Sequence, residues 1–260
     1  MPFIPLRDDN PRILIDRPVV TWTIIALCVG IFLLQLFAGQ RFSQIVTFSF
    51  GLIPAVLLGV RELAPDLAVV PAWVTLFTSM FLHGGLMHLA GNMLFLGVFG
   101  DNIEDAMGHR KFLAFYLVCG AAAALTHVAI APTATVPMIG ASGAISGVLG
   151  AYLILHPKAV VTILLFWIPL AFPAWVLLLL WIGFQIFSAL ASGASGGGVA
   201  WWAHIGGFAA GAALISSFRH KSIPLWGGGD HPKGIRIKRP PGRGPERPQR
   251  RRNKPPGPWQ

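Results

Sequence analysis

Between Phe112 and Phe218 the chain carries a single Lys, Arg, Asp or Glu, namely Lys158. A soluble domain places charge on about a quarter of its positions, so this stretch cannot wrap a water-facing surface. The whole chain agrees, with 54% hydrophobic and only 12% charged residues and a mean hydropathy of +0.65. A helix crossing a bilayer needs roughly 20 apolar residues, fewer where other helices surround it. Six stretches qualify: 19–38, 86–100, 111–130, from Ser142 to just before His156-Pro157, 173–191 and 200–218. The expected fold is therefore all-α, a polytopic membrane protein with a six-helix bundle over residues 19–218. Residues 1–18 read as a cytoplasmic N-terminal segment. Residues 219–260 read as a basic, Pro/Gly-rich disordered tail with little to bury. The run 160–172 is too short for a span and is broken by Pro169, so it reads as a connection hugging the membrane.

Basic residues stay on the cytoplasmic side. Arg7, Arg12 and Arg17 precede span one, Arg110 and Lys111 lie between spans two and three, Lys158 between four and five, and Arg219 and Lys221 after six. The loops 131–139 and 192–199 carry no charge. Both termini are expected inside, and the protein is expected in a bacterial inner membrane. The N-terminus lacks the pattern of a cleaved signal peptide. Cys28 and Cys119 fall in apolar runs and read as small core residues.

With this orientation, four polar side chains from three spans share one depth near the outer face. His88 and Asn92 stand at i, i+4 on span two, Ser142 opens span four, and His204 lies near the start of span six. A serine alone reads as packing, since Gly143 and Gly147 form a small-residue stripe beneath it. His204 weighs more, because ionisable groups inside spans are costly and mark function by default. Gly207 and Gly211 share its helix face, so two glycine surfaces could press together and bring Ser142 level with His204. A serine hydroxyl becomes a nucleophile with such a base about 3 Å away. His88 and Asn92 read either as an interhelical hydrogen bond or as donors to a developing oxyanion. Gly207→Val is expected to damage activity more than Gly211→Val, because Gly211 lies a turn deeper, where the same push would tilt the helix rather than separate Ser142 from His204. No H-E-x-x-H and no outer carboxylate is present, so no metal site or cofactor is expected, and any serine chemistry would use a Ser–His dyad.

These motifs resemble those of the rhomboid intramembrane serine proteases. Residues 140–143, "GASG", match the nucleophile motif G-x-S-G. Residues 203–211, "AHIGGFAAG", match A-H-x-x-G-x-x-x-G, and 83–92, "HGGLMHLAGN", match H-x-x-x-x-H-x-x-x-N. Glu104 and Gly108 match E-x-x-x-G. The resemblance implies Ser142 as nucleophile and His204 as general base and then acid. It implies His88, Asn92 and the Ser142 N–H as an oxyanion hole, with help near Gly140, and a first loop, about 39–82, half-sunk in the outer leaflet. Two features depart from the pattern. The Trp-Arg pair of that loop is absent, and Ser146 replaces an aromatic residue that often stacks on the histidine.

The implied substrates are transmembrane helices of other membrane proteins, cut near their outer end. The alternative is a catalytically inactive relative that binds or quality-controls membrane proteins. A transporter fits less well, since transporters gather polar groups at the midplane. The basic tail suits membrane lipids, above all anionic lipid, at about 1 kcal/mol per basic residue near the surface. Nucleic acid is not an expected partner, because no folded reading element is present. Chelators of zinc or iron are expected to leave activity unchanged. Loss of activity that returns when metal is added back would contradict this.

Overall fold

The computed structural model describes residues 4–192 and 200–227. It is mostly helical, and the six apolar stretches are helices: α1 (Val19–Phe37), α5 (Leu86–Met107), α6 (His109–Ile130), α7 (Ser142–Leu155), α8 (Ala174–Ser192) and α9 (Trp201–Phe218). Between the first two lie α2 (Gln40–Phe50), α3 (Pro54–Leu57) and α4 (Thr75–Thr78). Three helices, α1, α6 and α8, are each long and apolar enough to cross a membrane, with hydropathies of 2.3, 1.9 and 2.0. A fourth candidate is the pair Ala72–Phe81 and Leu86–Met107, bent by 82°. α1 and α8 expose large apolar side chains outward, among them Leu34, Phe37, Leu180 and Phe187. Helices of this kind make the chain an integral membrane protein.

α7 lies at the centre, packed against α5, α6, α8 and α9. It has 14 residues, about 21 Å at 1.5 Å per residue, and Pro157 stands just beyond its end. Its glycines set how closely the neighbours approach. A Cβ on Gly207 would run into the carbonyl oxygen of Gly143, one on Gly211 into that of Gly147, and one on Gly150 into that of Phe208. Gly207 and Gly211 therefore both meet rigid α7 backbone.

Opposite the Ser142 end, carboxylates of α5 organise the N-terminal segment. Glu104 is fully buried. It accepts the N–H groups of Val20 and Thr21 at 2.9 and 2.8 Å, and the Thr21 hydroxyl at 2.7 Å. It thus caps α1 from another helix, satisfying first-turn donors that have no partner within α1. Asp105 accepts the N–H groups of Ile13, Leu14 and Ile15. Gly108 has φ +80 and lets α5 end and α6 begin without a loop.

The all-α expectation needs correction. β1 (Ile4–Asp8), β2 (Val160–Leu165) and β3 (Ile168–Pro173) form an antiparallel sheet in the order β1-β2-β3. The run 160–172 is therefore a hairpin packed on the bundle through Val161 and Ile163. Val160, Val161, Thr162 and Ile163 are β-branched and suit a strand. Pro169 and Pro173 fall on β3, an edge strand, where proline is tolerated. The two-residue turn is made by Phe166 and Trp167, both at positive φ, 46° and 69°, as a type I′ hairpin requires. Proline therefore marks a sheet edge in this segment. Most of the basic tail, from residue 228 onward, lies outside the described residues.

Two predictions follow from this packing. Gly207→Ala and Gly211→Ala should each destabilise the detergent-solubilised protein by about 1–3 kcal/mol or more, the usual range for overpacking. Gly30→Ala, whose Cβ would meet nothing within 4 Å, should be nearly neutral. Thermal unfolding of the three variants checks this, and equal midpoints would refute it.

The second concerns Asp8. Its carboxyl accepts the Tyr152 hydroxyl at 2.5 Å and the Asn102 amide at 2.7 Å. Burial pushes its pKa up from 3.8 to about 7, against the lowering effect of the Tyr152 hydrogen bond. In that window the folded state holds a proton that the unfolded chain has released, so stability falls as pH rises from about 4 to 7. Asp8→Asn keeps an acceptor oxygen and never ionises. Its unfolding midpoint should exceed that of the unaltered protein at pH 8, and the gap should close toward pH 4. A gap that does not depend on pH would contradict this.

Candidate active site

The loop before α7 places the serine. Gly140 has φ +126, a conformation open to glycine, and its N–H donates to the Ser79 carbonyl at 2.9 Å. The chain then turns directly into α7 at Ser142. His204 is the fourth residue of α9 and is buried. The α7–α9 contact brings its Nε2 to 2.8 Å from the Ser142 Oγ, although 62 residues separate the two.

His88 and Asn92 come from the first turns of α5 and lie over Gly140. A Cβ there would be 2.8 Å from His88 Nε2 and 3.7 Å from Asn92 Nδ2. Asn92 is only 1% exposed, and its Nδ2 has no hydrogen-bond partner among the described residues. A buried donor without an acceptor costs about 1–3 kcal/mol, and such a group calls for an explanation. His88, Asn92, Gly140, Ser142, Gly143 and His204 all line one cavity of about 890 Å³. His83 is buried and meets the His88 ring edge-on, with centroids 5.2 Å apart. Gly147, Gly207 and Gly211 lie below, in the helix contact.

Three features were not anticipated. Gln185 of α8 places its Oε1 2.8 Å from His204 Nδ1. Trp181, one turn earlier on α8, packs against the same imidazole, with centroids 6.0 Å apart and planes tilted by 36°. Ser146 does not reach the histidine, and its hydroxyl donates back to the Ser142 carbonyl at 2.6 Å. A signal for Gln185 did exist, as a lone amide in the apolar run of α8, where a polar residue suggests function. A search for carboxylate partners passes over it. Among the described residues no group of three His, Cys, Asp or Glu side chains could hold a metal ion.

The family model described as "Rhomboid domain" matches residues 71–221. The chain belongs to the rhomboid family. It is 33% identical over 137 residues to "Rhomboid protease GluP" of Bacillus subtilis, which covers 53% of this chain and 24% of that protein. It is 34% identical over 143 residues to "Rhomboid protein 1, mitochondrial" of Saccharomyces cerevisiae, covering 52% and 38%. "Putative rhomboid protease YdcA" of Bacillus subtilis is 31% identical over 111 residues, covering 38% and 55%. The matches therefore span about a quarter to a little over half of these relatives. Within the rhomboid frame, the matched segment contains His88, Asn92, Ser142 and His204, which line the cavity, and both glycine stripes.

Proposed function

We propose that this rhomboid is an intramembrane serine endopeptidase with six spans, both termini cytoplasmic, and a cavity open toward the outer face. The observation that carries the reading is the 2.8 Å contact between Ser142 Oγ and His204 Nε2 in a cavity that also holds an unpartnered amide donor. His204 takes the hydroxyl proton as Ser142 Oγ attacks a peptide carbonyl. The carbonyl oxygen gains negative charge beside Asn92 Nδ2, His88 and the N-terminal turn of α7, whose positive dipole end favours it. His204 then gives the proton to the leaving amine. Water admitted through the cavity hydrolyses the acyl-enzyme, with His204 again as base.

The substrates in this reading are transmembrane segments of other proteins. A helix ties up its carbonyls in internal hydrogen bonds, so locally unstable segments rich in Gly or Pro near the outer end are the preferred sites. Orientation rests on the distribution of Arg and Lys. The second reading, a binding protein on the same scaffold, leaves the unpartnered Asn92 donor without a use.

Ser142→Ala should abolish cleavage of a model transmembrane substrate and labelling by a fluorophosphonate, with the unfolding midpoint nearly unchanged. Asn92→Ala should lower kcat on the order of 100- to 1000-fold, as loss of one oxyanion donor does, while leaving KM close to its starting value. Undiminished cleavage by Ser142→Ala would exclude the dyad. An unaltered protein that neither cuts nor takes the label would favour the binding protein.

A further inference from the structure

We infer that Gln185 is the positioning residue of His204, fixing which ring nitrogen carries the proton, and that α8 therefore takes over an orienting task that α7 does not perform. The inference rests on the protease reading for its consequences, but the hydrogen-bond geometry stands apart from it.

His204 meets one polar partner at each ring nitrogen. Nε2 lies 2.8 Å from Ser142 Oγ, and Nδ1 lies 2.8 Å from Gln185 Oε1. A neutral imidazole has one N–H and one lone pair, so the partner at one nitrogen decides the state of the other. The amide could present either end to the ring. Its Nε2 donates to the Trp181 carbonyl, one turn back on α8, at 3.4 Å. That carbonyl can only accept, so it holds the NH₂ group and leaves Oε1 facing the histidine. An oxygen at this place accepts from Nδ1–H. The proton then sits on Nδ1, and the Nε2 lone pair points at the serine hydroxyl. The reversed amide would put the proton on Nε2, where it would donate to Ser142 and could not take its proton.

The surroundings agree. Gln185 is 3% exposed and stands in an otherwise apolar helix, so its placement needs a reason. Trp181 and Gln185 are four residues apart and share a face of α8, one packing against the ring and the other holding its Nδ1. Trp201 meets the ring edge-on at 6.2 Å. From α7, Ser146 turns away to the Ser142 carbonyl. A satisfied structural amide is the plainer account, but interhelical hydrogen bonds in membranes are weak, and such an amide has no need to meet the histidine that touches the serine.

The partner is an amide and not a carboxylate. It can select the tautomer, but it offers no negative charge to the imidazolium formed during the reaction. α8 carries no Asp, Glu, Lys, Arg or His. His88 of α5 and His127 of α6 line the same cavity. Ser142 is the residue of α7 that faces it. A carboxylate at position 185 would be the first anion beside the ring.

The test uses the full chain in detergent and three variants. In protein with ¹⁵N-labelled histidine, the His204 signals, identified by their loss in His204→Ala, should show a proton on Nδ1. In Gln185→Leu they should shift toward a mixture of tautomers. Gln185→Leu should also lower kcat on the order of a hundredfold, the low end of the range ascribed to proton transfer by a placed side chain, with KM and the unfolding midpoint little changed. Gln185→Glu should move the acid limb of the rate profile to higher pH, because an adjacent carboxylate favours the charged imidazole. An unaltered tautomer in Gln185→Leu would overturn the inference even if the protein proved inactive. In an active protein, so would a Gln185→Glu profile that does not move. Absence of cleavage and labelling in the unaltered protein would instead count against the protease reading, and the tautomer measurement would still decide the role of Gln185.

Discussion

Contact between the backbones of α7 and α9 is the constraint on which the site depends. Hydrocarbon supplies no hydrophobic force to bring two helices together, so association relies on close packing and on hydrogen bonds between them. Gly207 and Gly211 face the α7 backbone at Gly143 and Gly147, and Gly150 faces the α9 backbone at Phe208, with no room for a Cβ at any of the three. This close approach brings two side chains from distant parts of the chain to 2.8 Å. The proton transfer proposed over that distance would have little tolerance, since a displacement of about 1 Å can cost on the order of 100-fold in rate.

A short α7 and a polar opposite end complete the frame. α7 is about 21 Å long at its 14 residues, less than the roughly 30 Å thickness of a bilayer core. Ser142 therefore begins a helix too short to reach both faces, with a cavity above it. At the other end, Glu104, Asp105 and Asp8 take up backbone and side-chain donors. Buried carboxylates are tolerable when their oxygens are so occupied. They bind the N-terminal segment, and with it β1 and the hairpin, to α5 and α7. The bundle is thus locked at the end away from the cavity, which leaves the cavity end free to be shaped by the polar groups of the site.

His88, Asn92, Ser142 and His204 were legible from position alone, because a polar group in an apolar span is conspicuous. The six apolar helices were legible for the same reason, although α5 runs to Met107, well past the expected end at residue 100. The sheet was hidden because 160–172 is apolar and interrupted by proline, a pattern that periodicity alone does not separate from a surface-bound connection. Its identity depends on pairing with β1, which lies more than 150 residues away.

Sequence by itself determined that this chain is a membrane protein, where its long apolar helices run, and which serine, histidines and asparagine to look for in one cavity. Those conclusions need only local composition and helical spacing. Tertiary structure alone decided that Gln185 meets His204, that Trp181 flanks the ring where Ser146 does not, and that Glu104 caps α1 from a neighbouring helix. The reason is physical. Apolar periodicity fixes which face of a helix is buried, but a hydrogen bond of 2.8 Å also depends on the rotation, depth and crossing of two helices, and these are set by packing among all their neighbours.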